Sequence, residues 1–143
     1  MVVYLDTSAL IKLYVDEEEG RELVHEAVDK ADMVATSTVA YAESRSGLAR
    51  RFREGYFTEE RLRDAVSDLD RDWGDFLTLP ASNSLAREAG DMAERHALRG
   101  FDAIHLASAK RLEDRFEDLR FLAFDDRLSE AAKAASISVY AEE

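Results

Sequence analysis

Apolar positions along this chain follow two rhythms. Short, largely apolar runs occur at residues 2–5, 33–36, 76–79, 121–124 and 137–140, each bounded by polar or small residues and too short for a helix. Such runs read as buried strands. The first, Val2-Val3-Tyr4-Leu5, has no polar alternation at all, as expected of a strand covered on both faces in a parallel sheet. Between the runs the apolar residues recur at helical spacing. Helices are predicted at 8–14, 17–29, 37 or 38 to 53, 58–72, 83–97, 102–117 and 127–135. Ser37 or Thr38 supplies an N-cap, Glu17, Glu59 and Glu60 bring negative charge to first turns, and Gly55 and Gly100 act as stops. Strands separated regularly by helices imply right-handed crossovers and a parallel sheet between helical layers. The expected fold is therefore a three-layer α/β/α domain with a central parallel sheet of about five strands, spanning 1–143 as one unit.

A chain of 143 residues buries roughly two thirds of its unfolded surface on folding, which suffices for one core. Cysteine is absent, excluding disulfides, thiolate metal sites and cysteine nucleophiles. The N-terminus lacks the features of a signal peptide, and no apolar run approaches the roughly 20 residues of a membrane helix, so a cytoplasmic protein without membrane association is expected. Charge adds a constraint. Acids outnumber bases 31 to 19, for a formal net charge of -12, and the bases are 15 arginines against 4 lysines. That surface repels polyanions on average, so a general nucleic-acid coat protein is excluded. It also suits a salty cytoplasm, where the Debye length falls to about 3 Å near 1 M salt.

Candidate chemistry lies with the acids. Asp6 and Asp125 each follow a predicted strand and precede a helix, a place that suits a ligand at a strand tip and equally an N-cap. Asp102 heads a stripe of Asp102, His105, Leu106, Ala109, Leu112 and Phe116 at three-and-four spacing. An acid on an inward stripe needs a partner or a metal, although a first-turn cap is again an alternative. His105 shares the stripe and is expected to be a hydrogen-bonded core histidine rather than a ligand. Periodicity does not single out Glu43: the main apolar face of its helix is Tyr41, Ala42, Leu48, Ala49 and Phe52, so a solvated glutamate is the default. Its second-turn position lets the side chain lean back toward the preceding strand's tip. Arg45, Arg50, Arg51 and Arg53 form the densest basic run, suited to phosphate contacts or simply to a negative helix end.

Four motifs in order, Leu5-Asp6-Thr7-Ser8-Ala9-Leu10-Ile11-Lys12, Ala42-Glu43-Ser44, Arg99-Gly100-Phe101-Asp102-Ala103-Ile104-His105-Leu106-Ala107-Ser108-Ala109 and Phe124-Asp125-Asp126-Arg127-Leu128, resemble a PIN domain of the VapC toxin type. That resemblance implies an endoribonuclease dependent on Mg²⁺ or Mn²⁺, the toxin of a toxin–antitoxin pair, with an RNA substrate, a cognate antitoxin protein as partner and a homodimeric state. It also implies that Asp6, Glu43, Asp102 and Asp125 are the four acids of the metal and catalytic site, with Thr7 and Ser8 beside it. Many relatives carry Thr or Ser two residues before the fourth acid, where this chain has Ala123, and Asp126 is a substitute for Asp125.

The chemistry agrees with that assignment. Phosphodiester hydrolysis needs an activated water and a neutralised leaving oxygen, which hard divalent ions supply when held by carboxylates. Two other classes remain: a receiver-like signalling domain, and a non-catalytic module whose acids only cap helices. The first needs an aspartate after the middle strand and a lysine after a late one, and this chain has Ala81-Ser82 at the former and no lysine at the latter.

Overall fold

The computed structural model describes residues 1–141; Glu142 and Glu143, included in the expected domain 1–143, lie outside the described residues. Four strands, β1 (Val2–Leu5), β2 (Met33–Ser37), β3 (Leu77–Leu79) and β4 (Leu119–Leu122), form a wholly parallel sheet in the order β3-β2-β1-β4. The last predicted strand contributes a single parallel bridge, Phe121 to Val139, on the outer edge of β4. The described residues form seven α-helices between and after the strands: α1 (Thr7–Leu10), continued by a 3-10 turn at Ile11–Leu13, α2 (Arg21–Lys30), α3 (Val39–Arg53), α4 (Glu59–Trp73), α5 (Asn83–His96), α6 (Gly100–Glu113) and α7 (Asp126–Ala134). Among the described residues no helix is long and apolar enough to cross a membrane.

All four residues of β1 are buried, and their alternation divides the core. Val2 and Tyr4 face a cluster with Leu106, Leu112, Phe121 and Leu128, beneath α5, α6 and α7. Val3 and Leu5 face a second cluster with Leu10, Leu48, Leu69 and Val24, beneath α1 to α4. Each large aliphatic side chain sealed this way contributes about 1.5–3 kcal/mol. Helix α6 is buried almost all round, from Ala103 through His105, Leu106, Ala107, Ser108 and Ala109 to Leu112, which makes it the central helix of its layer.

Several boundaries differ from the sequence expectation, each for a local reason. Helix α2 starts at Arg21, not at Glu17. Glu17 and Gly20 both have positive φ, and Glu18 turns inward to pair with Arg51 at 2.6 Å. Gly100 heads α6 instead of closing α5, which ends on Ala97 in the left-handed conformation. Strand β4 lies two residues earlier than the apolar run 121–124, because its register pairs Val2 with Leu119 and Leu5 with Leu122. Ala123 and Phe124 are thereby released into the turn before α7. Helix α3 buries Ala40, Ser44, Gly47 and Leu48; of the other residues on the expected face, Tyr41 and Phe52 pack partly buried against the core and Ala42 is exposed.

Sheet order decides where a site belongs. The chain runs outward from β1 to β2 and β3, then returns to place β4 on the opposite side of β1. The reversal lies between β1 and β4, and ligands of open parallel sheets bind beyond the carboxyl ends of the strands at such a point. Asp6 is the first residue past β1 there.

Candidate active site

A cleft of about 650 Å³ opens at this end of the sheet, and Asp6, Glu43, Asp102 and Asp125 all line it, together with Thr7, Ser8 and His105. The four acids arrive on four different segments. Asp6 follows β1, Glu43 sits in the second turn of α3 after β2, Asp102 is in the first turn of α6, and Asp125 caps α7 beyond β4. Asp126, the substitute raised by the sequence, is exposed and is not part of the lining.

For Asp6 and Asp125 the capping and site readings coincide. Asp6 Oδ1 accepts from the Ala9 N–H at 3.0 Å, and Asp125 Oδ1 accepts from the Leu128 N–H at 3.0 Å. The Ser8 hydroxyl donates to Asp6 Oδ1 at 2.7 Å and lies 2.9 Å from Oδ2, and its oxygen accepts the Phe124 N–H at 3.0 Å. Ser8 thus ties the β1 tip to the turn that carries Asp125. This supplies hydroxyl support from a different segment than the position occupied by Ala123.

Electrostatics separates the acids. Asp6 is only 3% exposed, and burial pushes its carboxyl up to about 6, with His105, Ser8 and Ala9 opposing and Asp102 adding to the rise. Asp102 is also raised, first by burial and then by the charge of Asp125. Glu43 goes the other way. Burial pushes it up, but hydrogen bonds from His105 and Thr7 outweigh that and hold it below the usual carboxylate range. Like charges drawn together in a poorly solvated cleft explain the first two, and hydrogen bonds to the charged form explain the third.

Behind Glu43 runs a chain of hydrogen bonds that the sequence did not reveal. Glu43 Oε1 accepts from the Thr7 hydroxyl and lies 3.0 Å from His105 Nε2. Thr7 Oγ1 is itself 3.1 Å from Nε2, and the Tyr4 hydroxyl is 2.9 Å from Nδ1. A carboxylate can only accept, so Nε2 carries a proton; in the neutral ring Nδ1 is then the acceptor, and the Tyr4 hydroxyl donates to it. His105 is the expected hydrogen-bonded core histidine, 1% exposed. Glu43 is half-buried and engaged, contrary to the solvated default, because its second-turn side chain reaches back to the β1 tip.

The arginine run lies elsewhere. Arg45 donates to the Tyr41 hydroxyl at 2.9 Å and lies over its ring. Arg50 and Arg51 line a separate cleft with Glu17, Glu18, Tyr56 and Arg61. Among the described residues Arg99 is the one arginine lining the acid cleft.

An all-oxygen carboxylate set suits a hard divalent cation. Among the described residues no three carboxylate or imidazole groups close around one point; Mg²⁺ takes only one or two protein carboxylates and keeps its remaining waters, so Asp6 with Asp102 or Asp125 is a fitting set. Asp102 adds to the raising of Asp6, and Asp125 to that of Asp102, which is the electrostatic signature of a site that gains from a cation.

The chain matches the PIN domain family model over residues 3–134. It is 39% identical over 138 residues to ribonuclease VapC45 of Mycobacterium tuberculosis (strain CDC 1551 / Oshkosh), covering 96% of this chain and 94% of that protein. Ribonuclease VapC46 of Mycobacterium tuberculosis (strain ATCC 25618 / H37Rv) is 34% identical over 140 residues, covering 97% and 96%. Among solved structures, the sarcin–ricin loop cleaving toxin VapC20 of Mycobacterium tuberculosis superposes with a TM-score of 0.69 at 20% identity, covering 90% of this chain and 94% of that one. FitAcB from Neisseria gonorrhoeae gives 0.67 at 19%, covering 97% and 96%. The chain belongs to the PIN domain family. Within that family its relatives by sequence are VapC ribonucleases, which removes the receiver-like reading.

Proposed function

We propose that the protein is a divalent-metal-dependent endoribonuclease acting in the cytoplasm as the toxin of a toxin–antitoxin pair. The observation that carries this reading is the meeting of four acids from four distant segments in one cleft at the switch point of the sheet. The sequence likeness to ribonucleases named VapC supports it. Solved neighbours include FitAB bound to a DNA fragment and VapBC2 from Rickettsia felis bound to a DNA fragment from their promoter. Those complexes support a cognate antitoxin as partner, and a homodimer remains part of the proposal.

Asp6 and Asp102 would hold the ion, with Asp125 beside them, and Mg²⁺ or Mn²⁺ bound there would supply positive charge for the phosphate and acidity for a water. Glu43, kept ionised by Thr7 and His105, accepts a proton or orients water within the cleft. Ser8 holds Asp6 in place, and Arg99, which lines the cleft, offers positive charge to a phosphate there. No side-chain nucleophile is required.

Purified protein should cut single-stranded or structured RNA with Mn²⁺ or Mg²⁺ and stop on chelation. The double variant Asp6→Asn, Asp102→Asn should be inactive while remaining folded. Equal cutting by wild type and double variant would point to a contaminating nuclease and remove the assignment.

A further inference from the structure

We propose that Tyr4 and His105 are positioning residues for Glu43: the buried phenol holds the imidazole in the form whose Nε2–H fixes Oε1, so that Glu43 presents its second oxygen to the cleft in one pose. The activity arm of this inference rests on the nuclease reading above.

Three observations carry it. Tyr4 is fully buried in mid-strand, stacked on Phe121 at 5.5 Å and 12°, among aliphatic and aromatic neighbours. A phenylalanine would serve that packing equally, and a hydroxyl carried into such a place costs free energy unless it is bonded. Its partner is His105 Nδ1. Next, a neutral imidazole has one donor and one acceptor on opposite sides of a rigid ring, so an O–H delivered to Nδ1 commits the proton to Nε2, 3.0 Å from Glu43. Finally, the described hydrogen bonds of Glu43 all fall on Oε1, from Thr7 beyond β1 and from His105 on α6. A glutamate on α3 has three free side-chain torsions; bonds from two other elements immobilise it and leave Oε2 for the cleft.

The test uses the whole protein in two ways. Ring ¹⁵N shifts of His105, measured with chelator and without RNA, should show the Nε2–H tautomer, and Tyr4→Phe should convert it to a mixture. In single-substrate cleavage Tyr4→Phe should lower kcat by roughly ten- to a hundredfold with KM unchanged. His105→Gln, whose amide N–H can still reach Glu43, should retain more kcat than His105→Leu. A melting curve confirms that each variant is folded. The proposal is overturned if wild-type His105 carries its proton on Nδ1, if folded Tyr4→Phe cleaves at the wild-type kcat, or if the Gln and Leu variants are equally impaired. Should wild type cleave no RNA, the nuclease reading fails separately, and the tautomer change in Tyr4→Phe still decides the contact.

Discussion

Asp6 shows how one side chain can serve folding and chemistry at opposite signs. Its cap to Ala9 favours the fold, while its charge, buried near Asp102, opposes it. Unfolded, its pKa is near 3.9, whereas in the fold it rises to about 6. Below about pH 4 both states are protonated; between about 4 and 6 only the folded state keeps the proton; above that the carboxylate is charged in both. Its contribution to stability therefore falls as pH rises through that window, by on the order of 3 kcal/mol. Asparagine caps about as well and carries no charge. In chelator, Asp6→Asn should be more stable than wild type at pH 7, with the gap closing toward pH 4 in denaturant titrations. With excess Mn²⁺ wild type should recover about 1.4 kcal/mol at tenfold the dissociation constant, and the variant less. Parallel pH curves and equal metal responses would leave Asp6 a cap only.

At the scale of elements, the turn between β4 and α7 is held by a contact that glycine alone allows. Gly20 has φ of +89°, and a Cβ there would stand 2.5 Å from Phe124 Cε1. Lys12 Nζ lies 4.6 Å from the centre of the same ring. Gly55 has a similar φ of +85° but nothing within 4 Å of its would-be Cβ. Gly55→Ala should therefore cost only the left-handed strain of roughly 1–2 kcal/mol. Gly20→Ala should cost more and also slow cleavage, since it displaces the neighbour of Asp125. Equal melting shifts with unchanged activity in both variants would show that the ring contact positions nothing. Legibility varied between elements for physical reasons. The α6 stripe was readable because its inward positions are apolar around Asp102. The inward face of α3 was not, because it is made of Ala40, Ser44 and Gly47, residues small enough for the helix to approach Ile11; a Cβ on Gly47 would meet Ile11 Cδ1 at 2.6 Å. Small and hydroxylated residues carry no hydrophobic period, so Glu43 was marked by the family resemblance alone and its bonds to Thr7 and His105 emerged from the fold, while Asp6, Asp102 and Asp125 were already suggested by position.

For the whole molecule, a net charge of -12 sets self-repulsion against compactness. Local surface pairs such as Arg111 with Glu88 at 2.6 Å and Arg71 with Asp68 at 3.3 Å offset little of it, since exposed pairs are worth at most about 1 kcal/mol. Raising salt from dilute buffer toward molar levels should therefore raise the melting temperature, because screening acts on the excess charge more than on the few close pairs. A flat or falling melting temperature would remove the saline-host reading without touching the nuclease. Strand order has a further consequence, in the time domain of synthesis. Strand β1 is made first, yet one of its two edges stays empty until residues 119–122 have left the ribosome, and Asp125 follows them. At about 5–20 residues per second, the nascent chain spends most of its translation with Asp6 lacking Asp125 and with Ser8 lacking the Phe124 N–H. The acid cleft therefore comes into being only as the last fifth of the chain appears, and a copy that stops short of residue 125 lacks one of the four acids that line it.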